Sequence, residues 1–75
     1  MQYRTPDGAR FTASSHAELA EALWHSQFSP PETMQEWMQG SAERAQMWNG
    51  AILRTDTPEN HVDDLIAFGF LERVE

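Results

Sequence analysis

The chain has 75 residues, no cysteine, and twelve acidic side chains against five basic ones, all arginine, for a formal charge of −7. That excludes disulfide staples, thiolate zinc sites and thiol catalysis, predicts one domain near the lower size limit for a single core, and makes a surface that repels nucleic acid and membranes and suits a basic partner. No apolar run approaches the ~20 residues that span a bilayer, and Met1 to Asp7 lack the apolar run of a signal peptide, so a cytoplasmic protein is expected.

Residues 2–13 read as a β-hairpin. Thr5-Pro6-Asp7-Gly8 is turn chemistry: Pro presets φ, Asp bonds locally, Gly accepts positive φ. A type I turn with Gly8 as the bulge residue sets Tyr3 opposite Phe11 and Arg4 opposite Arg10. Tyr3, Thr5, Phe11 and Ala13 then share the core face. Two arginines directly across a ladder repel, so either an acid such as Glu72 neutralises them, which is the favoured reading, or they hold an anion.

A first helix starts at Ser15, because Ser15-His16-Ala17-Glu18 is a capping box, and ends near Gln27. Its apolar stripe is Leu19, Ala20, Leu23 and Trp24. A second helix starts either at Ser29, with Pro30 at its first position, or at Thr33, with Glu36 closing a capping box. Its core stripe reads Met34, Trp37, Met38, Ser41, Ala45 and Trp48, and Asn49-Gly50 stops it. Gly40 lies inside this helix, costs ~1 kcal/mol relative to Ala, and is expected to admit another backbone at close range.

Residues 51–55 read as a short strand. Asp56-Thr57-Pro58-Glu59 opens a third helix with a cap, a first-position Pro and a first-turn acid. Val62, Leu65 and Ile66 face inward. Gly69 ends the helix in a Schellman motif, with Phe70 making its hydrophobic contact. Residues 70–74 form a last short strand. The order β-β-α-α-β-α-β describes a small α+β single domain spanning residues 1–75.

No catalytic constellation emerges. His25 lies four residues from Glu21, and His61 three from Asp64; each reads as a surface histidine beside a helix acid, not a metal site. Ser15 is explained as a cap, and no nucleophile elbow or Gly-rich phosphate loop exists. A non-enzymatic protein with no cofactor and no metal is expected. Three Trp are many indoles for one small core. Since Trp and Met are enriched at interfaces, Met47 and Trp48 are the candidate apolar interface, and a monomer and a homodimer both remain open.

The acids carry the sharper functional reading. Glu32, Glu36 and Glu43 on the second helix and Glu59, Asp63 and Asp64 on the third are the candidate partner-binding residues. The pairs Glu32/Glu36 and Glu59/Asp63 are like-charged at i, i+4, costing ~0.2–0.5 kcal/mol each. Carboxylates so spaced lie about 6 Å apart along the axis, close to every second phosphate of a DNA strand at about 3.4 Å per step. The plainer reading of the same spacing is a solvated helix face.

In size, acidity and lack of a catalytic motif the chain resembles the small anti-CRISPR proteins of phages and mobile elements. The resemblance covers whole-chain character and no motif, so it transfers no functional residue. It implies an acidic inhibitor, in its sharpest form a DNA mimic that occupies the basic groove of a CRISPR effector subunit without itself binding nucleic acid. The alternative from the residues is a homodimeric structural or regulatory accessory protein, antitoxin-like, working through the Trp/Met surface.

Overall fold

The computed structural model describes residues 1–27 and 29–74. Its elements are β1 (Gln2–Arg4), β2 (Arg10–Thr12), α1 (His16–His25), α2 (Met34–Asn49), α3 (Pro58–Ala67) and β3 (Glu72–Arg73). The three strands form one antiparallel sheet in the order β2-β1-β3, and the fold is α+β.

The turn between β1 and β2 is the one its residues specify. Gly8 N–H donates to the Thr5 carbonyl at 3.0 Å, Thr5 N–H donates to Ala9 at 2.9 Å, and Gly8 has φ +95°. Tyr3 stands opposite Phe11 and Arg4 opposite Arg10. The repulsion in the second pair is relieved from the other side of β1. There Glu72 sits opposite Arg4 and accepts a hydrogen bond from its Nη2 at 2.8 Å.

Each helix begins at a hydroxyl cap: the side chains of Ser15, Thr33 and Thr57 accept from the N–H groups of Glu18, Glu36 and Asn60. Thr33, not Ser29, therefore opens α2. Glu32 lies ahead of the helix, and the expected Glu32/Glu36 pair within one helix does not exist. Gly50, at φ +77°, ends α2. After α3, Gly69 N–H donates to the Ile66 carbonyl and Phe70 N–H to that of Leu65, at 3.2 and 2.8 Å, which is the Schellman pattern. The Trp24 indole, at the end of α1, donates to the Pro31 carbonyl at 2.7 Å and ties α1 to the approach of α2.

The core gathers one face of each element. Tyr3 and Ala13 come from the hairpin region, Leu19 and Ala20 from α1, Trp37, Met38 and Ala45 from α2, and Val62 and Leu65 from α3. Ala51, Leu53 and Leu71 fill in from the connections, while Leu23 and Ile66 are only partly buried against it.

Two further expectations fail. Residues 51–55 are not a strand. Ala51 and Leu53 are buried while Ile52 and Arg54 are exposed, which is the burial of a strand, but no ladder forms. Side chains take the backbone groups instead: Asn49 Oδ1 accepts from Ala51 N–H, Asp64 from Arg54 N–H, and the Thr55 carbonyl accepts from Gln35. Nor does Gly40 admit another backbone of this chain. A Cβ placed there would meet only Nη1 of Arg44, at 3.3 Å.

Leu65 is 7 % exposed and its carbonyl anchors the Schellman turn. Leu65→Ala leaves the backbone bonds intact and opens a cavity, so a loss of about 2–5 kcal/mol is expected. A thermal melt of the variant matching the parent's would show that this residue is not part of the core.

Candidate functional site

The six acids expected to meet a partner separate into two groups. Glu32, Glu36, Glu43 and Glu59 are exposed. Among the described residues Glu32, Glu43 and Glu59 have no hydrogen-bond or ion-pair partner. Glu36 is at the third position of α2; its N–H donates to the Thr33 hydroxyl at 3.1 Å, and that hydroxyl in turn lies 3.2 Å from its carboxylate, so the cap is made without the reciprocal bond to Thr33 N–H.

Asp63 and Asp64 are engaged by the fold. The Asp63 carboxylate lies 2.5 Å from Nδ1 of His16, linking α3 to the start of α1, and keeps about half its side-chain exposure. Asp64, a candidate to meet a partner, is instead held by an arginine of the same chain. Its Oδ2 accepts from Arg54 N–H at 2.8 Å and from Nε at 3.0 Å, and Oδ1 accepts from Nη2 at 3.0 Å. With 15 % of its side chain exposed it is a structural carboxylate. The paired guanidinium holds its carboxyl below the usual carboxylate range.

Sequence reasoning missed Asp56 as part of the acidic surface. It stands ahead of Thr57, is exposed, and accepts from Asn60 Nδ2 and from Thr57 N–H. The Asn60 amide, as the main cause, lowers its pKa. Gln35 Nε2 donates to the Thr55 carbonyl at 3.1 Å. Since Glu36 follows Gln35 and Asp56 follows Thr55, this bond sets the acidic starts of α2 and α3 side by side, with Glu32 before one and Glu59 after the other. The signal available in the sequence was only the pair of helix-start motifs; their adjacency is tertiary.

The apolar candidates lie at the other end of α2. Met47 and Trp48 are each 82 % exposed, although Trp48 falls on the core stripe. The last buried residue of α2 is Ala45, so the final turn runs past the core it would pack against. Beside Trp48 a groove of about 690 Å³ is lined by Leu23, Trp37, Arg44, Leu65 and Phe70 among others. No hydroxyl–imidazole–carboxylate alignment lines it. Among the described residues no group of three or more His, Asp or Glu is arranged to hold a metal ion.

The histidines also divide. His25 is exposed and stacks on Trp24, with ring centroids 4.3 Å apart. His61, expected at the surface, is fully buried, edge-on to the Trp37 ring at 5.1 Å. Its Nδ1 lies 2.8 Å from the Arg54 carbonyl and must carry the hydrogen, since a carbonyl only accepts. Its Nε2 is buried without a partner. Burial, as the main cause, lowers the His61 pKa and keeps the ring neutral. The position was legible: His61 is four residues before Leu65, on the stripe that faces inward.

Compared with protein-family models, with curated proteins and with solved structures, the chain matches none.

The buried His61 and the paired Asp64 make stability pH-dependent with one sign. Unfolded His titrates at about 6.5 and unfolded Asp at about 3.9; in the folded chain both lie lower. The unfolded state therefore binds more protons, and stability falls on acidification. The melting temperature is expected to be flat above pH 7, to decline below about 6.5 as His61 resists protonation, and to decline again below about 3.9 as Asp64 is neutralised. His61→Gln keeps a donor for Arg54 and should lose the first decline while retaining the second. Identical pH profiles for parent and variant between pH 7 and 5 would rule out a buried neutral imidazole.

Proposed function

We propose that the protein is a non-enzymatic inhibitor or adaptor that binds a basic protein surface. In its sharpest form it is a DNA mimic of the anti-CRISPR kind, seated in the basic groove of a nucleic-acid-binding effector. The observation that carries this reading is the joining of two helix starts through Gln35 and Thr55, with exposed Glu32, Glu36, Asp56 and Glu59 around them. Two of those acids, Glu36 and Glu59, sit in first turns that the helix dipole already favours, so the surface is built at little cost to stability. Asp63 and Asp64 leave the candidate set, because His16 and Arg54 use them.

A second reading rests on a different observation. Met47 and Trp48, both 82 % exposed, suit a homodimeric regulatory or accessory protein that associates through apolar contact. Ionic strength separates the two, since an acid-driven complex weakens with salt and an apolar one hardly does.

The test begins with affinity capture from the native host and then measures binding of the captured partner. The triple variant Glu36→Gln, Glu43→Gln, Glu59→Gln keeps the Glu36 cap geometry and should melt near the parent temperature, because exposed charges contribute little to stability. It is expected to bind at least about tenfold more weakly. Duplex DNA should compete with the parent. Equal affinity for parent and variant, indifferent to salt and to DNA, would leave the Met47/Trp48 surface as the better explanation.

A further inference from the structure

The last turn of α2 overhangs an apolar groove. It has a volume of about 690 Å³ and reaches from Trp48 to the hairpin turn. Trp37 and Leu65 in its wall are buried, and Leu23 and Phe70 are half-buried. A recess of about 240 Å³ shares Ser41, Arg44, Trp48, Leu65 and Phe70 with it. Small-molecule sites have volumes of about 300–1,000 Å³ and mostly apolar walls. Trp48 is 82 % exposed, so an apolar occupant would take indole surface out of water.

The polar groups of the recess are unused. Arg44 has no hydrogen-bond or ion-pair partner among the described residues, although the chain carries twelve acids. Its helix neighbours at i±3 and i±4 are Gly40, Ser41, Met47 and Trp48, so no carboxylate neutralises it locally. A Cβ at Gly40 would come within 3.3 Å of Nη1 of Arg44, so the glycine gives the guanidinium room to lie back along α2. The Ser41 hydroxyl and the Trp48 indole N–H are likewise unbonded among the described residues. A guanidinium and an indole can only donate. Among the described residues the one acid lining the groove is Asp7, which lies outside the recess and is bonded within the hairpin turn to Thr5 and Ala9.

We propose that this groove binds a small molecule with an apolar body and a single carboxylate, the body against Trp37, Leu65 and Phe70 and the carboxylate on Arg44. Arginine meets a carboxylate through two parallel hydrogen bonds. The surroundings select one charge. A chain of net charge −7 repels a nucleic acid or an acidic protein segment at long range, whereas one carboxylate is matched by one guanidinium. The site goes beyond the acidic surface at the starts of α2 and α3 and does not depend on it.

The probes are decanoate and phenylbutyrate, an alkyl and an aryl acid, each with its alcohol as the uncharged counterpart. Binding is read by calorimetry and by tryptophan emission, which should shift to shorter wavelength as Trp48 is covered. The parent should bind at least one acid about tenfold or more tightly than its alcohol, and the tighter acid identifies the class of tail. Arg44→Met keeps an apolar stem and should melt near the parent temperature, since the side chain is exposed and unpaired. It should lose the preference for the acid while still binding the alcohol. Trp48→Ala should weaken acid and alcohol alike, and Glu43→Gln, outside the groove, should change neither. An acid that binds no better than its alcohol, or that binds Arg44→Met as well as the parent, overturns the proposal. So does the absence of any binding tighter than ~1 mM. Dimerisation of the parent that Trp48→Ala abolishes and decanoate leaves undisturbed would assign the groove to a second copy and overturn it as well.

Discussion

The structure depends on how Arg54 is held. Between α2 and α3 the chain must change direction while burying Ala51 and Leu53. Buried backbone polar groups have to be paired, and here no strand lies alongside to pair them. Two side chains of α3 do so: Asp64 takes the Arg54 N–H and His61 reaches its carbonyl. Asp64 also takes the guanidinium through both oxygens. One residue is thus fixed at its donor, its acceptor and its side chain by residues one helical turn apart. The arrangement leaves His61 buried with Nε2 unpartnered. That residual cost is tolerable only because the ring stays neutral and its other faces are packed, in part edge-on against Trp37.

The same arrangement decides which charges remain for solvent. The fold uses Asp64 on Arg54, Asp63 on His16 and Glu72 on Arg4. Glu18 accepts from the Ser14 hydroxyl, and Asp7 is bonded within the hairpin turn. What is left without a partner among the described residues includes Glu21, Glu32, Glu43 and Glu59. Two of the five arginines are occupied by the same pairings. Unneutralised carboxylates gathered at the starts of α2 and α3 act at long range. They speed encounter with a positively charged surface and discourage encounter with a negative one, more strongly at low salt.

Local chemistry was legible, and tertiary substitution for it was not. The hairpin register, the hydroxyl caps of α1 and α3 and the Gly69 ending follow from short-range rules about φ and hydroxyl acceptors, while the start of α2 stayed open between Ser29 and Thr33 and the Arg4–Glu72 pairing follows from the need to neutralise two facing arginines. The failures share a cause. Residues 51–55 have the alternation of a strand, but whether a neighbour offers a ladder or side chains cannot be read from the segment itself. Asp64 sits on the exposed-looking side of the α3 pattern and is claimed by Arg54, ten residues earlier. Trp48 continues the apolar stripe, yet burial depends on how far the core extends beneath it, and the core ends at Ala45. Within the candidate site, exposure of the glutamates was readable, whereas the adjacency of Glu36 and Asp56 required the Gln35–Thr55 contact.

Departures from local rules are concentrated on α2. A helix serving only the core would end near Ala45. This one continues to Asn49 and leaves Met47 and Trp48 in solvent. In small domains, positions that break a local rule without an internal gain are commonly those that serve a function. The charge and the apolar turn also require one another. Exposed Met and Trp invite indiscriminate association, which a net charge of −7 opposes by keeping copies apart. Carboxylates alone bring partners close but hold them weakly, since exposed ion pairs are largely screened. An aromatic side chain that becomes desolvated at the contact supplies the short-range grip. On the proposed function, a partner that satisfied both would be basic where it met the exposed carboxylates and apolar where it met the last turn of α2, which is a narrower requirement than either feature sets alone.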